Sequence, residues 1–151
     1  MRISIERTFD AAPIYGVLSD PALFDIFRDD IAGKEFDFSP LVSDHRNFFF
    51  VADDGDGPAG IIQFLSIEGG SYEGHIAFVS RVWGRGVAQE ATRAAVSLMF
   101  DHVGANQIRT SIPRRRDCLP VTRLARQIGM VEVDSESPEC EFVLTPKTFR
   151  R

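Results

Sequence analysis

The sequence has few of the residues that build metal sites and disulfide frameworks. Among its 151 residues there are only two cysteines and three histidines. Cys118 and Cys140 lack the Cys-x-x-Cys spacing of a zinc site, and the histidines, His45, His75 and His102, show no metal-ligand spacing. We therefore predict no metal site and two reduced, half-buried thiols.

Long apolar runs are also absent. No stretch approaches the roughly 18 apolar residues of a membrane-spanning helix, and the N-terminal residues lack the basic and then apolar pattern of a secretory signal. We therefore expect a cytoplasmic protein that does not enter a membrane. The length is typical of one domain and no linker-like segment interrupts it, so we predict a single domain over residues 1–151.

Charge is unevenly distributed along the chain. The net charge is −5, which makes nucleic acid an unfavourable partner. Residues 1–60 contain five Lys/Arg and twelve Asp/Glu, whereas residues 81–151 contain twelve and eight. This division would suit an anionic ligand on the C-terminal half and a cationic ligand on the N-terminal half. A functionally neutral scatter of surface charge is the alternative.

The most informative segment is residues 78–91, FVSRVWGRGVAQEA. An apolar strand runs into a turn that contains Gly84 and Gly86, and the turn leads directly into a helix. The first amides of such a helix have no intrahelical partner and the helix dipole adds positive charge, so the segment predicts an anion site. It lacks the lysine of a nucleoside-triphosphate loop, and Gln89 occupies the third glycine position of a dinucleotide fingerprint.

This segment resembles the acetyl-CoA loop of the GCN5-related N-acetyltransferases (GNAT), whose signature is Gln/Arg-x-x-Gly-x-Gly/Ala. In the register that begins at Trp83, Gly86 and Ala88 match the last two fixed positions, and Trp83 replaces the Gln/Arg. A second register, which begins at Arg81, satisfies the signature literally. We prefer the first, because it puts Phe78 at the strand end and Val87 at the helix start, as in the family. The pattern Trp-Gly-x-Gly-x-Ala-x-Glu-Ala is similar to the branch that acetylates ribosomal-protein N-termini and polyamines.

The N-terminal half predicts a strand, two helices and a meander. The strand contains Ile3 and Ile5, and the helices are opened by Asp10 and Asp20. Two inward-facing aromatic residues, Phe24 and Phe27, belong to the second helix. Three antiparallel strands separated by glycine-containing turns then follow, over residues 48–52, 60–67 and 71–79.

The C-terminal half alternates helices and strands. A helix after the glycine turn carries one apolar stripe, formed by Val87, Ala91, Ala94, Ala95, Leu98 and Met99. A strand at 107–112, a helix at 119–128 and strands at 130–134 and 139–144 follow. The order β-α-α-β-β-β-α-β-α-β-β is that of the GNAT superfamily. It implies an α/β (α+β) fold with a mixed, mostly antiparallel sheet of six or seven strands and about four helices.

The resemblance also implies how acetyl-CoA is held. In the family the fourth and fifth strands splay apart, and the pantetheine arm bonds to backbone of the fourth strand, here Ile76, Ala77 and Phe78. The pyrophosphate would lie on the amides of Trp83, Gly84, Arg85, Gly86, Val87 and Ala88. The Arg85 side chain, and less directly Arg114, Arg115 or Arg116, would approach the phosphates.

A base is needed as well, because about one alkyl amine in 2,500 is neutral at pH 7. Glu73 and His75 alternate onto one face of the fourth strand, so either would accept the proton through water. Solvent-facing positions without a catalytic role are the alternative for both residues.

Two positions depart from the family pattern. Ala125 stands where many members have a tyrosine that protonates the departing thiolate, and Cys118 stands at the position of an asparagine that often begins the last helix beside the cofactor. Catalysis is still expected, because a thiol with a pKa near 8.5 can leave as an anion.

Three functional hypotheses follow. The leading one is transfer of an acetyl group from acetyl-CoA to the primary amine of a small cation or of a peptide N-terminus. The second is a non-catalytic CoA-binding or protein-interaction module on the same scaffold, and the third is an unrelated α/β domain. We expect the first helices and residues 36–41 to line the acceptor side. A homodimer is compatible with the sequence.

Overall fold

The computed structural model describes residues 2–23, 37–133 and 136–151. Its strands are β1 (Ser4–Arg7), β2 (Phe48–Asp53), β3 (Pro58–Ser66), β4 (Ser71–Phe78), β5 (Gln107–Pro113), β6 (Val131–Val133) and β7 (Glu139–Leu144). Its α-helices with described bounds are α1 (Ala12–Leu18), α2 (Ser39–Ser43), α3 (Val87–Leu98) and α4 (Leu119–Gln127). Residues 21–23 are also helical.

The described strands form one seven-stranded sheet in the order β1-β2-β3-β4-β5-β7-β6. Every pairing is antiparallel except that of β4 with β5. The predicted strand order along the chain and the mixed, mostly antiparallel sheet are therefore confirmed, and the structure adds the helix α2 to the predicted helices. The predicted inward-facing Phe24 and Phe27 lie outside the described residues.

Local side-chain contacts explain where the N-terminal helices begin. The Asp10 carboxylate accepts a hydrogen bond from the Ala12 amide at 3.0 Å, and the Asp20 carboxylate accepts one from the Ala22 amide at 2.9 Å. These contacts are the helix openings that the sequence predicts.

The sequence predicts a loop over residues 36–41, but residues 39–43 form the short helix α2. The Asp37 carboxylate accepts a hydrogen bond from the Ser39 amide at 2.9 Å, and a proline lies in the first turn. Both features favour a helix start.

Two apolar layers cover the two faces of the sheet. One contains Phe50, Ile62, Phe64 and Ile108 and packs against α3 and α4. The other contains Phe49 and Ile61 and packs against α1 and α2. We refer to these as the α3–α4 face and the α1–α2 face.

The stripe predicted for α3 is wrong at one position. Ala94 is exposed, whereas Thr92 and Val96 are buried with Ala91, Ala95 and Met99. The helix therefore turns a slightly different side to the sheet. After Leu98 the chain continues as a π-helical turn, Met99–Val103.

Candidate active site

The parallel pairing of β4 with β5 is short and opens into a fork. It consists of Ser71 with Gln107, Tyr72 with Ile108 and Glu73 with Arg109. From Gly74 to Phe78, β4 stays paired with β3, and no described strand pairs with it on its β5 side. The main-chain groups on that edge, apart from the Phe78 carbonyl oxygen, which accepts a hydrogen bond from the Trp83 indole, are therefore available to a ligand.

A cavity of about 530 Å³ occupies this fork. Gly74, His75, Ile76 and Ala77 line it from β4, and Thr110, Ser111, Ile112 and Pro113 line it from β5. Of the β4 residues predicted to hold the pantetheine arm, Ile76 and Ala77 therefore lie at the cavity. Phe78 is not among the residues that line the cavity, and its side chain is 4% exposed; the contact predicted for its main chain stays a prediction.

The glycine turn lies just beyond the end of β4. Gly84 and Gly86 have φ angles of 73° and 78°, in the region that favours glycine, and Gly86 is the residue before the first turn of α3. A Cβ at either glycine would meet no heavy atom within 4 Å. The turn therefore presents open main chain at the N-terminus of a twelve-residue helix.

The amides of the turn fall into two groups. Those of Trp83 and Arg85 donate to the carbonyl oxygens of Ser80 and Val82, at 3.1 and 3.3 Å. The others make no hydrogen bond to another described residue; they belong to Gly84, Gly86, Val87 and Ala88. Of the six residues predicted to bind the pyrophosphate through their amides, these four have the free donors.

Trp83 and Arg85 contribute side chains instead. The Trp83 indole donates to the Phe78 carbonyl oxygen at 2.7 Å while its ring is 47% exposed. This bond joins the end of β4 to the glycine turn. The Arg85 side chain is exposed beside the free amides.

Two carboxylates anchor the chain immediately before the turn. Asp20 accepts hydrogen bonds from the Ser80 amide at 2.7 Å and from the Ser80 hydroxyl at 3.0 Å. Asp54, whose side chain is 2% exposed, pairs with Arg81 at 2.5 Å. The Ser80 and Arg81 bonds respectively lower the pKa of the Asp20 and Asp54 carboxyls. Arg81, which begins the alternative register of the signature, is therefore engaged by Asp54.

Glu73 and His75 lie on the α1–α2 face of β4, as their alternation predicts. The His75 Nε2 atom is 2.7 Å from Glu73 Oε1. Both side chains are about half exposed, at 41% for His75 and 48% for Glu73, and both residues line the cavity. Such a pair can accept a proton and share it with solvent. Tyr72, on the opposite face, packs against the core.

Helix α4 closes the fork on the α3–α4 face. Ala125 is buried and lines the cavity, so this position offers a methyl group where the family pattern has a phenol. Cys118 is buried at the N-terminus of α4, and it is not among the residues that line the cavity. Burial is the main cause that raises the pKa of its thiol, which disfavours a reactive thiolate. The prediction that Cys118 contacts the cofactor therefore has no support from its position.

Thr92 is one of the cavity residues that the sequence analysis did not identify. Thr92 of α3 lines the cavity, is 5% exposed, and its hydroxyl has no hydrogen-bond partner within the described residues. Buried hydroxyls are normally paired. Its position, five residues after Val87 on the inward side of the helix, is the only signal that the sequence offers.

The arginine triplet has partners of its own. Arg114 lies 3.7 Å from a Glu132 carboxylate oxygen, and Arg115 lies 3.3 Å from Asp117. Arg116 is exposed. None of these contacts involves the glycine turn.

Comparisons with known proteins agree with this geometry. Residues 4–131 match the family described as acetyltransferase (GNAT) domain. The chain belongs to the GNAT acetyltransferase family. The resemblance inferred from residues 78–91 is thereby confirmed. No curated protein sequence matches the chain.

Solved structures share the fold of this acetyltransferase at low sequence identity. A chimera of the spermidine N-acetyltransferase SpeG from Vibrio cholerae and hSSAT is 14% identical, with a TM-score of 0.72 and 96% of each chain covered. A structure from Desulfovibrio desulfuricans assigned to the GNAT family is 16% identical, with a TM-score of 0.74 and coverage of 95% and 99%. An IAA acetyltransferase from Bacillus cereus is also 16% identical, with a TM-score of 0.70 and the same coverage.

Two kinds of site are absent from residues 2–23, 37–133 and 136–151. Over these ranges, no three His, Cys, Asp or Glu side chains are grouped so that they could hold a metal ion. None of the helices in the same ranges has the length and apolar character of a membrane span.

Proposed function

We propose that this acetyltransferase uses acetyl-CoA to acetylate a primary amine by direct attack. The observation that carries the proposal is the continuity of the site: the open edge of β4 leads directly to the free amides of the glycine turn. An elongated ligand with an anionic diphosphate at one end and amides along its arm is complementary to both parts.

The residues present fit acetyl-CoA. The amides of Gly84, Gly86, Val87 and Ala88 would hold the diphosphate at the positive end of α3, and the Arg85 side chain would add charge from the side. The arm would lie along Ile76 and Ala77. The unpaired Thr92 hydroxyl supports this fit, because an amide of the arm would satisfy a buried group that lacks a partner.

The chemistry asks mainly for alignment, because a thioester is already activated. The amine nitrogen forms the new C–N bond, the C–S bond breaks, and the sulfur leaves as a thiolate. An N–H on the open edge of β4 would stabilise the carbonyl oxygen as it gains charge. The proton lost by the amine would pass to the Glu73–His75 pair, directly or through water.

A second candidate is a CoA-binding module without catalysis. It is favoured by Ala125, because no hydroxyl is present at that position to protonate the thiolate. We place it second because the Glu73–His75 pair provides an acid–base group at the cavity.

One assay separates these candidates. Thiol release from acetyl-CoA is measured over a panel of primary amines, and binding of acetyl-CoA is measured by thermal shift, where a ligand at 100 times its Kd adds about 2.7 kcal/mol. Binding with turnover supports the proposal. Binding without turnover on any amine favours the non-catalytic module, and the absence of binding overturns both.

The same assay tests the glycine turn. Gly86→Glu puts a carboxylate among the free amides, and we expect acetyl-CoA affinity to fall by about a hundredfold or more, equivalent to about 2.7 kcal/mol. Gly104→Glu is the matched control: Gly104 follows the helical segment at its other end, also has a positive φ, of 84°, and also has open space at its Cβ position. Unchanged affinity in Gly86→Glu would contradict the proposed diphosphate site.

A further inference from the structure

The part of the cavity on the α1–α2 face has a polar end and an apolar wall. The polar end consists of Gln63, His75 and Glu73, with Gln63 directly opposite His75 in the β3–β4 ladder. The wall consists of apolar side chains from α1, from the start of α2 and from β3, namely Ile14, Leu18, Phe38, Leu41 and Leu65.

The wall is accessible and held in place. Leu18, Phe38, Leu41 and Leu65 are each only partly buried. The Phe38 amide donates to the Tyr15 hydroxyl at 2.9 Å, and the two rings meet edge to face at 5.7 Å. These contacts join α1 to the start of α2, so the apolar side chains of the two helices form one surface.

The described part of the chain places carboxylates at two positions of the cavity. Among the described residues that line it, the carboxylates are Glu73 and Glu139. Glu73 pairs with Arg109 in the β4–β5 ladder, whereas Glu139 lies opposite Pro113, four residues further along β5. That separation is about 13 Å along the strand. Among the cavity carboxylates of residues 2–23, 37–133 and 136–151, Glu73 is therefore the one at the polar end of the apolar wall.

We infer that the acceptor is a primary amine with a single positive charge and an apolar substituent. The inference rests on the proposed function, because it assumes that the acceptor nitrogen reaches the Glu73–His75 pair. The ammonium group would be recognised by Glu73 before it loses its proton, and the substituent would lie on the wall. A second ammonium group along the same substituent would be desolvated against leucine and phenylalanine side chains, where the described residues offer it no carboxylate partner.

This inference distinguishes the protein from a structural neighbour. The chimera with a TM-score of 0.72 is named for spermidine, an amine with several charges. The wall formed by Leu18, Phe38 and Leu41 predicts a different preference on the same scaffold.

The test compares two amines that differ only at the far end. Hexylamine and 1,6-diaminohexane have the same six-carbon chain, but the second ends in another ammonium group. We expect kcat/KM for hexylamine to exceed that for the diamine at least tenfold, and spermidine to be no better than the diamine. Equal or better turnover of the diamine or of spermidine would overturn the inference while leaving the proposed function intact. Absence of turnover with every amine would instead overturn the proposed function.

A pair of variants tests where the substituent lies. Leu18 is the last residue of α1 and is partly buried, so Leu18→Glu would add a carboxylate to the wall, and Leu18→Gln is a matched neutral control. We expect the ratio of diamine to hexylamine turnover to rise at least tenfold in Leu18→Glu and to change less than threefold in Leu18→Gln. An equal ratio of diamine to hexylamine turnover in the two variants would contradict the placement of the substituent against α1. The wild-type comparison stands even if neither variant folds.

Discussion

The glycine turn and the cavity would recognise their ligands by different means. At the glycine turn the donors are main-chain amides, fixed by two positive φ angles and the start of α3. On the α1–α2 face the surface consists of side chains from α1, α2, β3 and β4. Main-chain recognition depends on a few consecutive residues, whereas side-chain recognition depends on segments that are distant in sequence. A family can therefore keep the first and vary the second.

The largest expected effect comes from replacing His75, the proposed proton acceptor, while the glycine turn is left unchanged. We expect His75→Gln to lower kcat about a hundredfold, while acetyl-CoA affinity stays within twofold of the wild type. His102→Gln is the control, because His102 is exposed in the π-helical turn after α3. Steady-state kinetics together with a binding titration give both quantities.

The pH dependence provides an independent reading of the same variant. If His75 accepts the proton, the activity of His75→Gln should be proportional to the fraction of the amine that is neutral in solution. Below the amine pKa that fraction, and with it the activity, should rise about tenfold per pH unit. A variant with unchanged kcat and an unchanged profile would show that the Glu73–His75 pair is only a surface contact.

A smaller effect is expected from the anchor of the turn. Asp54→Asn removes the charge that holds Arg81, and we expect the KM for acetyl-CoA to rise about tenfold because the free amides lose their alignment. Asp44→Asn is the matched control, since Asp44 is also paired with an arginine, Arg46, at 2.8 Å, but its partner is not part of the turn. Equal KM values in both variants would contradict a positioning role for Asp54.

The same variant carries a stability prediction with a defined sign. The hydrogen bond from Arg81 lowers the pKa of Asp54 below its ordinary value of 3.8 in the folded protein. Its stabilising contribution is therefore complete above the unfolded-state pKa and is lost as the pH falls through the lower folded-state pKa. Urea unfolding should show Asp54→Asn less stable than the wild type at pH 7, with a smaller difference at pH 3.

The smallest expected effect concerns Thr92. Thr92→Val keeps the shape of the side chain and removes a buried hydroxyl that has no partner in the described residues. We expect the free energy of unfolding without ligand to rise by about 1 kcal/mol, and acetyl-CoA affinity to fall severalfold. Thr122→Val is the comparison. The Thr122 hydroxyl donates to the Cys118 carbonyl oxygen at 3.2 Å, so we expect this variant to be less stable than the wild type. A Thr92→Val variant with unchanged acetyl-CoA affinity would exclude that hydroxyl from the site.

Much of the fold could be predicted from local patterns. Turn residues separate the strands, Asp10 and Asp20 open the first helices, and Gly84 and Gly86 identify the turn before α3. Ala94 was misassigned because an alanine fits either side of a helix, and only tertiary packing selects Thr92 and Val96 for the interior. The short helix α2 was missed because its start depends on one contact between Asp37 and Ser39.

The candidate site was predictable where its residues are close together in sequence. Alternation alone put Glu73 and His75 on one face, and their 2.7 Å contact agrees with it. The Asp54–Arg81 ion pair and the wall formed by Leu18 and Leu41 join residues that are far apart in sequence. No spacing rule indicates such contacts, because they arise only when the meander folds beside α1 and the glycine turn.

The brevity of the β4–β5 ladder has a mechanical consequence. Three residue pairs are the only rungs that join the meander to the C-terminal strands within the described sheet. A bound thioester arm would supply the missing rungs along the rest of the seam. The bound arm would then connect the two parts of the sheet along a seam where the protein itself makes few hydrogen bonds.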